Sequence, residues 1–348
     1  MAHVGRENIA FSLHAQHPWL DKAHEISADV DIVDGVVGRE GGVQLLTSLL
    51  PRLLQLRRQI RRFRPDVIIV SMNFAQAMPL SFSLAATGSR LLYVVHDAVP
   101  HPGDYMPRVQ KITQRGLIAC ARQLVFLSAY VGENIRRTLP RRHRNNMAVL
   151  NLTKQALANR TEPRTLRENE PLRFLFLGRL LQYKGLDILA EALERLQHRN
   201  DWRLTIAGNG DERAFVLKHF RQFPQVDLSH MRWLLEAEVD TLIAEHDVIV
   251  CPYTEASQSG VLPEAFSIGI PAVVTPVGAL PEQIGFGRAG WLASTATPGD
   301  LAVAMEAALD HRADYSAKSA EALGLVSARP GEAGWAKVIS GVMQRSGA

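Results

Sequence analysis

The stretch Phe174-Leu-Phe-Leu-Gly-Arg-Leu-Leu-Gln-Tyr-Lys-Gly185 decides the fold. Phe174–Leu177 is an uninterrupted apolar run of strand length, Gly178 lets the backbone turn closely, and Leu186–Gln197 carries apolar residues at helical spacing. Strand, tight turn and helix form the repeating unit of a parallel sheet covered by helices. In such sheets ligands bind in the crevice beyond the carboxyl ends of the strands. Arg179 and Lys184 fall there. Two cations aimed at one crevice suit a diphosphate, which an arginine can grip with two parallel hydrogen bonds. The plainer alternative is a pair of surface cations.

Working outward, Leu204-Thr-Ile-Ala-Gly-Asn-Gly-Asp211 repeats the theme. Gly208 and Gly210, with Asn209 between them, let a ligand approach the backbone, although alone they also suit a simple turn. The richest segment is Cys251-Pro-Tyr-Thr-Glu-Ala-Ser-Gln-Ser-Gly-Val-Leu-Pro-Glu-Ala-Phe-Ser-Ile-Gly269, which follows a strand and opens a helix. Ser257 or Ser259 is expected to cap that helix, and Pro263 is tolerated in its first turn. The N–H groups of Ser257, Gln258, Ser259, Gly260 and Val261 are expected to face the crevice and favour a phosphate. Glu255 lies before the helix and Glu264 about one turn inside it. Two carboxylates do nothing for phosphate affinity, but they accept hydrogen bonds from sugar and ribose hydroxyls. Glu264 has a plainer role available, as a first-turn acid favoured by the helix dipole.

The same alternation runs through the chain. In the first half, strands are expected at Ile9–Leu13, Val30–Val33, Val67–Ser71, Leu91–Val95, Leu124–Leu127 and Ala148–Leu150, with a leucine-rich helix over Val43–Phe63. Thr153–Pro171 is polar, carries two prolines and has no apolar period, so it reads as a linker. In the second half, strands are expected at Arg173–Leu177, Leu204–Ala207, Val248–Val250 and Ala272–Thr275. Helices are expected at Leu186–Gln197, Glu212–Phe223, Glu236–Glu245, Gly260–Ile268 and Pro298–Leu309, followed by a helical tail over Gly331–Met343 containing Trp335. The expected architecture is α/β: two doubly wound parallel-sheet domains facing a central cleft. The first spans 1–155, the linker 156–171 and the second 172–325, with 326–348 a terminal helix returning to the first domain.

No apolar run reaches the roughly 18 to 20 residues of a membrane span. Met1–Glu7 lacks the order of a signal peptide. Cys120 and Cys251 lie far apart, with no metal-ligand spacing, and read as reduced thiols of a cytoplasmic protein. The net charge is only +4, yet Arg52, Arg57, Arg58, Arg61, Arg62 and Arg64 crowd one helix and Arg136, Arg137, Arg141, Arg142 and Arg144 a second segment. Such basic faces can hold anionic lipid headgroups or a phosphorylated acceptor, or can simply be solvated. They carry no aromatic interleaving, which argues against nucleic acid.

One motif of the first half bears on chemistry. Leu91-Leu-Tyr-Val-Val-His-Asp97 is a buried-type strand ending in a His-Asp pair, followed by Pro100-His-Pro-Gly103. His96 lies just beyond the strand, where the other domain's ligand would face. His101 is a weaker candidate.

These pieces together resemble glycosyltransferase family 4, the glycosyl transferases group 1, which are retaining enzymes of the GT-B fold. The matching segments are Gly178-Arg179-Leu180 with Lys184-Gly185, Ala207-Gly208-Asn209-Gly210, Glu255…Glu264, and Pro271-Ala-Val-Val-Thr-Pro-Val-Gly-Ala-Leu-Pro-Glu282. The resemblance implies that Arg179 and Lys184 bind the donor diphosphate, Glu255 the donor sugar and Glu264 the ribose hydroxyls, with His96 beside the sugar. It implies hexose transfer from a nucleoside diphosphate sugar to a hydroxyl acceptor. The arginine-rich segments lean towards a lipid-linked saccharide or polysaccharide precursor at the cytoplasmic membrane face, and with Arg179 and Lys184 supplying the charge no metal or cofactor is expected. A nucleotide-sugar epimerase and a noncatalytic nucleotide-sugar-binding protein are the alternatives. An NAD oxidoreductase would require a G-x-G-x-x-G that the first strand lacks.

Two departures stand out. Glu255 and Glu264 have eight residues between them where the family has seven, so either the loop bulges or Ala256 takes the usual place of the first glutamate. Family members also open with a strand and a glycine-rich loop, whereas this chain begins near that loop's end and Gly41-Gly42 comes later. The first domain is therefore either trimmed or starts upstream.

Overall fold

The computed structural model describes residues 10–13, 29–32, 54–55, 57–71, 90–98, 107–139, 141–151, 162–327 and 332–344. Arg52, Gly41-Gly42, His101 and the first part of the expected helix over Val43–Phe63 lie outside the described residues.

Among the described residues, the first half contributes six parallel strands. β1 (Ala10–Leu13) pairs with β2 (Asp29–Ile32). β3 (Val67–Val70), β4 (Arg90–Val95), β5 (Gln123–Phe126) and β6 (Met147–Val149) form a four-stranded sheet in that order. A helical stretch at 57–63, α1 (Pro107–Cys120) and α2 (Ala129–Arg136) accompany it. Side chains alternate across β4, as a pleated strand requires. Leu91, Tyr93 and Val95 meet Ile60, Leu117, Val131 and Ile135 on one face. Leu92 and Val94 face the other way, with Val125 and Leu150.

The second half is a six-stranded parallel sheet. Its strands are β7 (Leu172–Leu177), β8 (Trp202–Ala207), β9 (Val226–Asp227), β10 (Val248–Cys251), β11 (Ala272–Val274) and β12 (Gly290–Leu292), in the order β12-β11-β10-β7-β8-β9. Its helices are α3 (Leu186–Leu196), α4 (Arg213–Phe220), α5 (Glu236–Glu245), α6 (Val261–Ser267), α7 (Leu280–Gln283), α8 (Pro298–Asp310) and α9 (Tyr315–Ser327). β7 and β10 lie inside the sheet, which is why Phe174, Leu175, Phe176 and Val248–Cys251 are apolar without interruption and almost fully buried. Residues 162–171 run along this domain: Arg164 N–H donates to Ser319 Oγ at 2.8 Å, and Leu166 packs on the core.

The last helix, α10 (Glu332–Gln344), leaves the second domain and covers the open face of the first sheet. Trp335, Val338, Ile339 and Val342 lie against Leu92, Val94, Val125 and Leu150. No helix among the described residues is long and apolar enough to cross a membrane.

Register decides where the chemistry lies. Leu177 pairs with Ala207 and Cys251 with Val274, so the turns after β7, β8, β10 and β11 emerge at one end of the sheet. Val95 pairs with Phe126, which brings the turns after β4 and β5 out together.

Candidate active site

The turns after β7 and β8 are in contact. Gly208 has φ 123°, and a Cβ there would lie 1.9 Å from the Gly178 carbonyl oxygen, so only glycine allows the approach. Leu180 N–H donates to the Asn209 carbonyl at 3.0 Å, and Asn209 Oδ1 accepts from Gly210 N–H at 3.0 Å. The Asn209 side chain therefore shapes the turn that carries it.

Gln182–Lys184 form one tight helical turn that ends at Gly185, in the left-handed region at φ 68°. A Cβ on Gly185 would lie 1.8 Å from the Pro252 carbonyl oxygen, so the turn is pressed onto the loop after β10. This contact sets Lys184 Nζ 3.7 Å from the centroid of the Tyr253 ring and 5.1 Å from that of Tyr183. Burial there lowers the Lys184 pKa to about 8, and neighbouring Arg179 acts in the same sense. Asp97, at the end of β4 in the first domain, is close enough to oppose the shift. Burial pushes the Cys251 thiol up, so it is uncharged at neutral pH and supplies no counter-charge. The strand ends of the two domains thus converge on Lys184.

Arg179 is exposed, and its guanidinium donates to the Tyr183 hydroxyl at 3.3 Å. The Tyr183 carbonyl accepts both the N–H and the hydroxyl of Thr254, at 2.9 and 3.2 Å, joining the β7 turn to the β10 loop. On that loop Ala256 is buried and its carbonyl accepts Ala279 N–H at 3.3 Å, while Glu255 is exposed at the rim. Glu264 lies half-buried in the first turn of α6.

Two expectations about this loop require correction. Neither Ser257 nor Ser259 caps α6; Gly260 occupies the cap position, without a side-chain hydrogen bond. Nor does the Ser259 N–H face the crevice. It donates to Gln283 Oε1 at 2.7 Å, and Gln283 Nε2 donates back to the Ser259 carbonyl at 2.9 Å. The buried carboxamide satisfies both main-chain polar groups of Ser259, which otherwise would be desolvated without partners. The Ser259 hydroxyl lies 3.3 Å from the Tyr253 hydroxyl. Val261 opens the helix beside Gly260, at whose Cβ position there is open space. Gln258 Oε1 is buried without a hydrogen-bond partner among the described residues.

In the first domain, His96 Nε2 lies 2.6 Å from the Ser71 carbonyl. A carbonyl only accepts, so neutral His96 carries its proton on Nε2 and presents Nδ1 as an acceptor. Gln114 Nε2 donates to the Asp97 carbonyl at 2.6 Å and fixes the turn. Trp233 is 70% exposed and so is no part of the core. Tyr183 and Tyr253 stand in the quoted motifs, yet their part as rings around Lys184 is visible only in the fold. Gln283 had no signal at all, because its partner is 24 positions away.

Residues 171–311 match the model of the family described as glycosyl transferases group 1, and residues 11–151 match a glycosyl transferase 4-like domain. The chain belongs to the group 1 glycosyl transferases. Among relatives of this group 1 chain, D-inositol 3-phosphate glycosyltransferase of Paenarthrobacter aurescens is 30% identical over 190 residues, 52% of this chain and 45% of that protein. The amylovoran biosynthesis glycosyltransferase AmsK of Erwinia amylovora is 28% identical over 133 residues, 36% of this chain and 33% of that protein. The chain thus spans less than half the length of these curated relatives in the matched regions. Two solved structures show the GT-B fold over nearly the whole chain. Sucrose-phosphate synthase from Thermosynechococcus elongatus superposes with a TM-score of 0.76 at 13% identity, covering 98% of this chain and 90% of that one. Anabaena HepE in complex with UDP-glucose does so with a TM-score of 0.70 at 14% identity, covering 98% and 92%.

Proposed function

We propose that this group 1 glycosyl transferase moves a hexose from a nucleoside diphosphate sugar to a hydroxyl acceptor, with retention of anomeric configuration. The observation that carries the reading is the convergence on Lys184 of the turn after β7 and the loop after β10 in the second domain with Asp97 of the first. Arg179 and Lys184 would take the diphosphate and stabilise the charge developing on it as the sugar departs. Glu264 would accept from ribose hydroxyls, and Glu255, at the rim, from the sugar. His96 Nδ1 would accept from a sugar hydroxyl, which keeps the donor in line for attack. No carboxylate is assigned as nucleophile: the acceptor would attack from the face the diphosphate leaves, and a diphosphate oxygen would take its proton. The two cations supply the leaving-group charge, so no metal or cofactor enters this scheme.

For the acceptor, a lipid-linked saccharide or polysaccharide precursor at the cytoplasmic membrane face is favoured by Arg57, Arg58, Arg61, Arg62 and Arg64, all exposed. The AmsK relative, named for amylovoran biosynthesis, supports the same direction.

The test is product analysis. Incubation with donor and acceptor should give a glycoside whose anomeric proton coupling matches the donor, and donor alone should give no epimer. Lys184→Ala should lower kcat about 100-fold, the cost of removing one preorganised charge-stabilising donor, with Tm nearly unchanged. Near-normal turnover in that variant, or inverted product, would sink the reading.

A further inference from the structure

Away from Lys184, the second domain reaches the first through the turn after β5. Ser128, 1% exposed, caps α2: its Oγ accepts from Val131 N–H at 3.3 Å and donates to the Ser257 carbonyl of the other domain at 3.2 Å. The next two amides, Ala129 and Tyr130, donate to Oε1 and Oε2 of Glu282 at 3.1 and 3.2 Å. Glu282 stands on α7 of the second domain, beside the Gln283 that holds Ser259. One four-residue helix therefore grips the donor loop with one side chain and the first domain with the next.

A carboxylate on two first-turn amides is a strong arrangement for its size. Those N–H groups have no partner within their own helix, the helix dipole favours negative charge there, and ionised acceptors make the stronger hydrogen bonds. It is also reversible. Ala129 and Tyr130 are exposed, so water can replace Glu282 whenever the domains part. We propose that Glu282 is a positioning residue, a latch that holds the first domain against the donor loop and couples closure of the cleft to the conformation of residues 257–260. The latch rests on this geometry; its effect on turnover rests on the glycosyl-transfer reading.

Glu282→Gln keeps the shape and removes the charge and one acceptor. Ala129→Pro removes one amide from the opposite side. Proline is accepted at the first helical position, and Ser128 already has the extended backbone (φ −153°, ψ 152°) that precedes proline. Amide hydrogen exchange on the full-length chain is measured alongside kcat and donor Kd. Glu282→Gln should raise exchange at Ala129 and Tyr130 about tenfold and lower kcat about tenfold, leaving donor Kd within about twofold. Ala129→Pro should give a similar loss of kcat, and the double variant no further loss, since both remove one interaction. Unchanged exchange at Tyr130 in Glu282→Gln would overturn the latch. So would losses that multiply in the double variant, or a donor Kd that weakens as much as kcat falls. If the wild type transfers no sugar, the glycosyl-transfer reading fails while the exchange comparison still decides the latch.

Discussion

Lys184 holds an ammonium over two tyrosine rings, and its burial disfavours the charge until an anion arrives. Its pKa of about 8 lies below the ordinary lysine value of 10.5 because burial outweighs the pull of Asp97. In the proposed role the cation takes the diphosphate, so kcat/KM for the donor should decline as pH rises through about 8. Lys184→Arg should abolish that limb, since arginine does not titrate there. The stability effect has the opposite direction. Between about 8 and 10.5 the unfolded chain holds a proton that the folded chain has lost, so the stability of the wild type should rise with pH relative to Lys184→Met. Urea titrations at pH 7.5 and 9.5 check this; a difference that stays flat would place Lys184 in water. The sequence marked this residue through its distance from a strand end, which is a local property. The Tyr253 ring against which it lies comes from a loop some seventy residues away and needed the fold.

At the scale of elements, α7 has four residues, begins with Leu280-Pro281 and carries no periodic signal, yet it anchors the loop after β10 through Gln283. Gln283→Ala leaves the buried N–H and carbonyl of Ser259 without partners, a loss of about 2 kcal/mol. Urea unfolding of the second domain should register that loss together with weaker donor binding, whereas a neutral variant would show that water replaces the carboxamide. What was legible followed burial and length. β4, β7 and β10 were expected within one residue of their observed bounds, because strands buried on both faces leave nearly unbroken apolar runs. The two-residue β9 and three-residue β12 are too short to carry a pattern, and α9 mixes alanine, serine and lysine without a clear apolar stripe. Ser259 was misread for a related reason. Local sequence offered its N–H to a ligand, and a glutamine 24 positions on had already taken it.

For the whole molecule, α10 closes the design by returning to the first sheet, where Trp335 and Val342 cover Leu92, Val94 and Val125. Trp335→Ala should destabilise the first domain by roughly 2–3 kcal/mol, a large-to-small change at a partly buried site, and leave the unfolding of the second domain in place. Separate probes in each domain would reveal it; a loss confined to the second domain would contradict the packing. The central claim is that the second domain binds a nucleoside diphosphate sugar through Arg179, Lys184 and Glu264. The most direct measurement is a thermal-shift titration of wild type and Lys184→Ala against UDP-, GDP-, ADP- and TDP-sugars. The account predicts saturable stabilisation of the wild type by at least one of them, about 2.7 kcal/mol at a hundredfold excess over Kd, and little or none in the variant. No stabilisation by any donor, or equal stabilisation of both proteins, would contradict it.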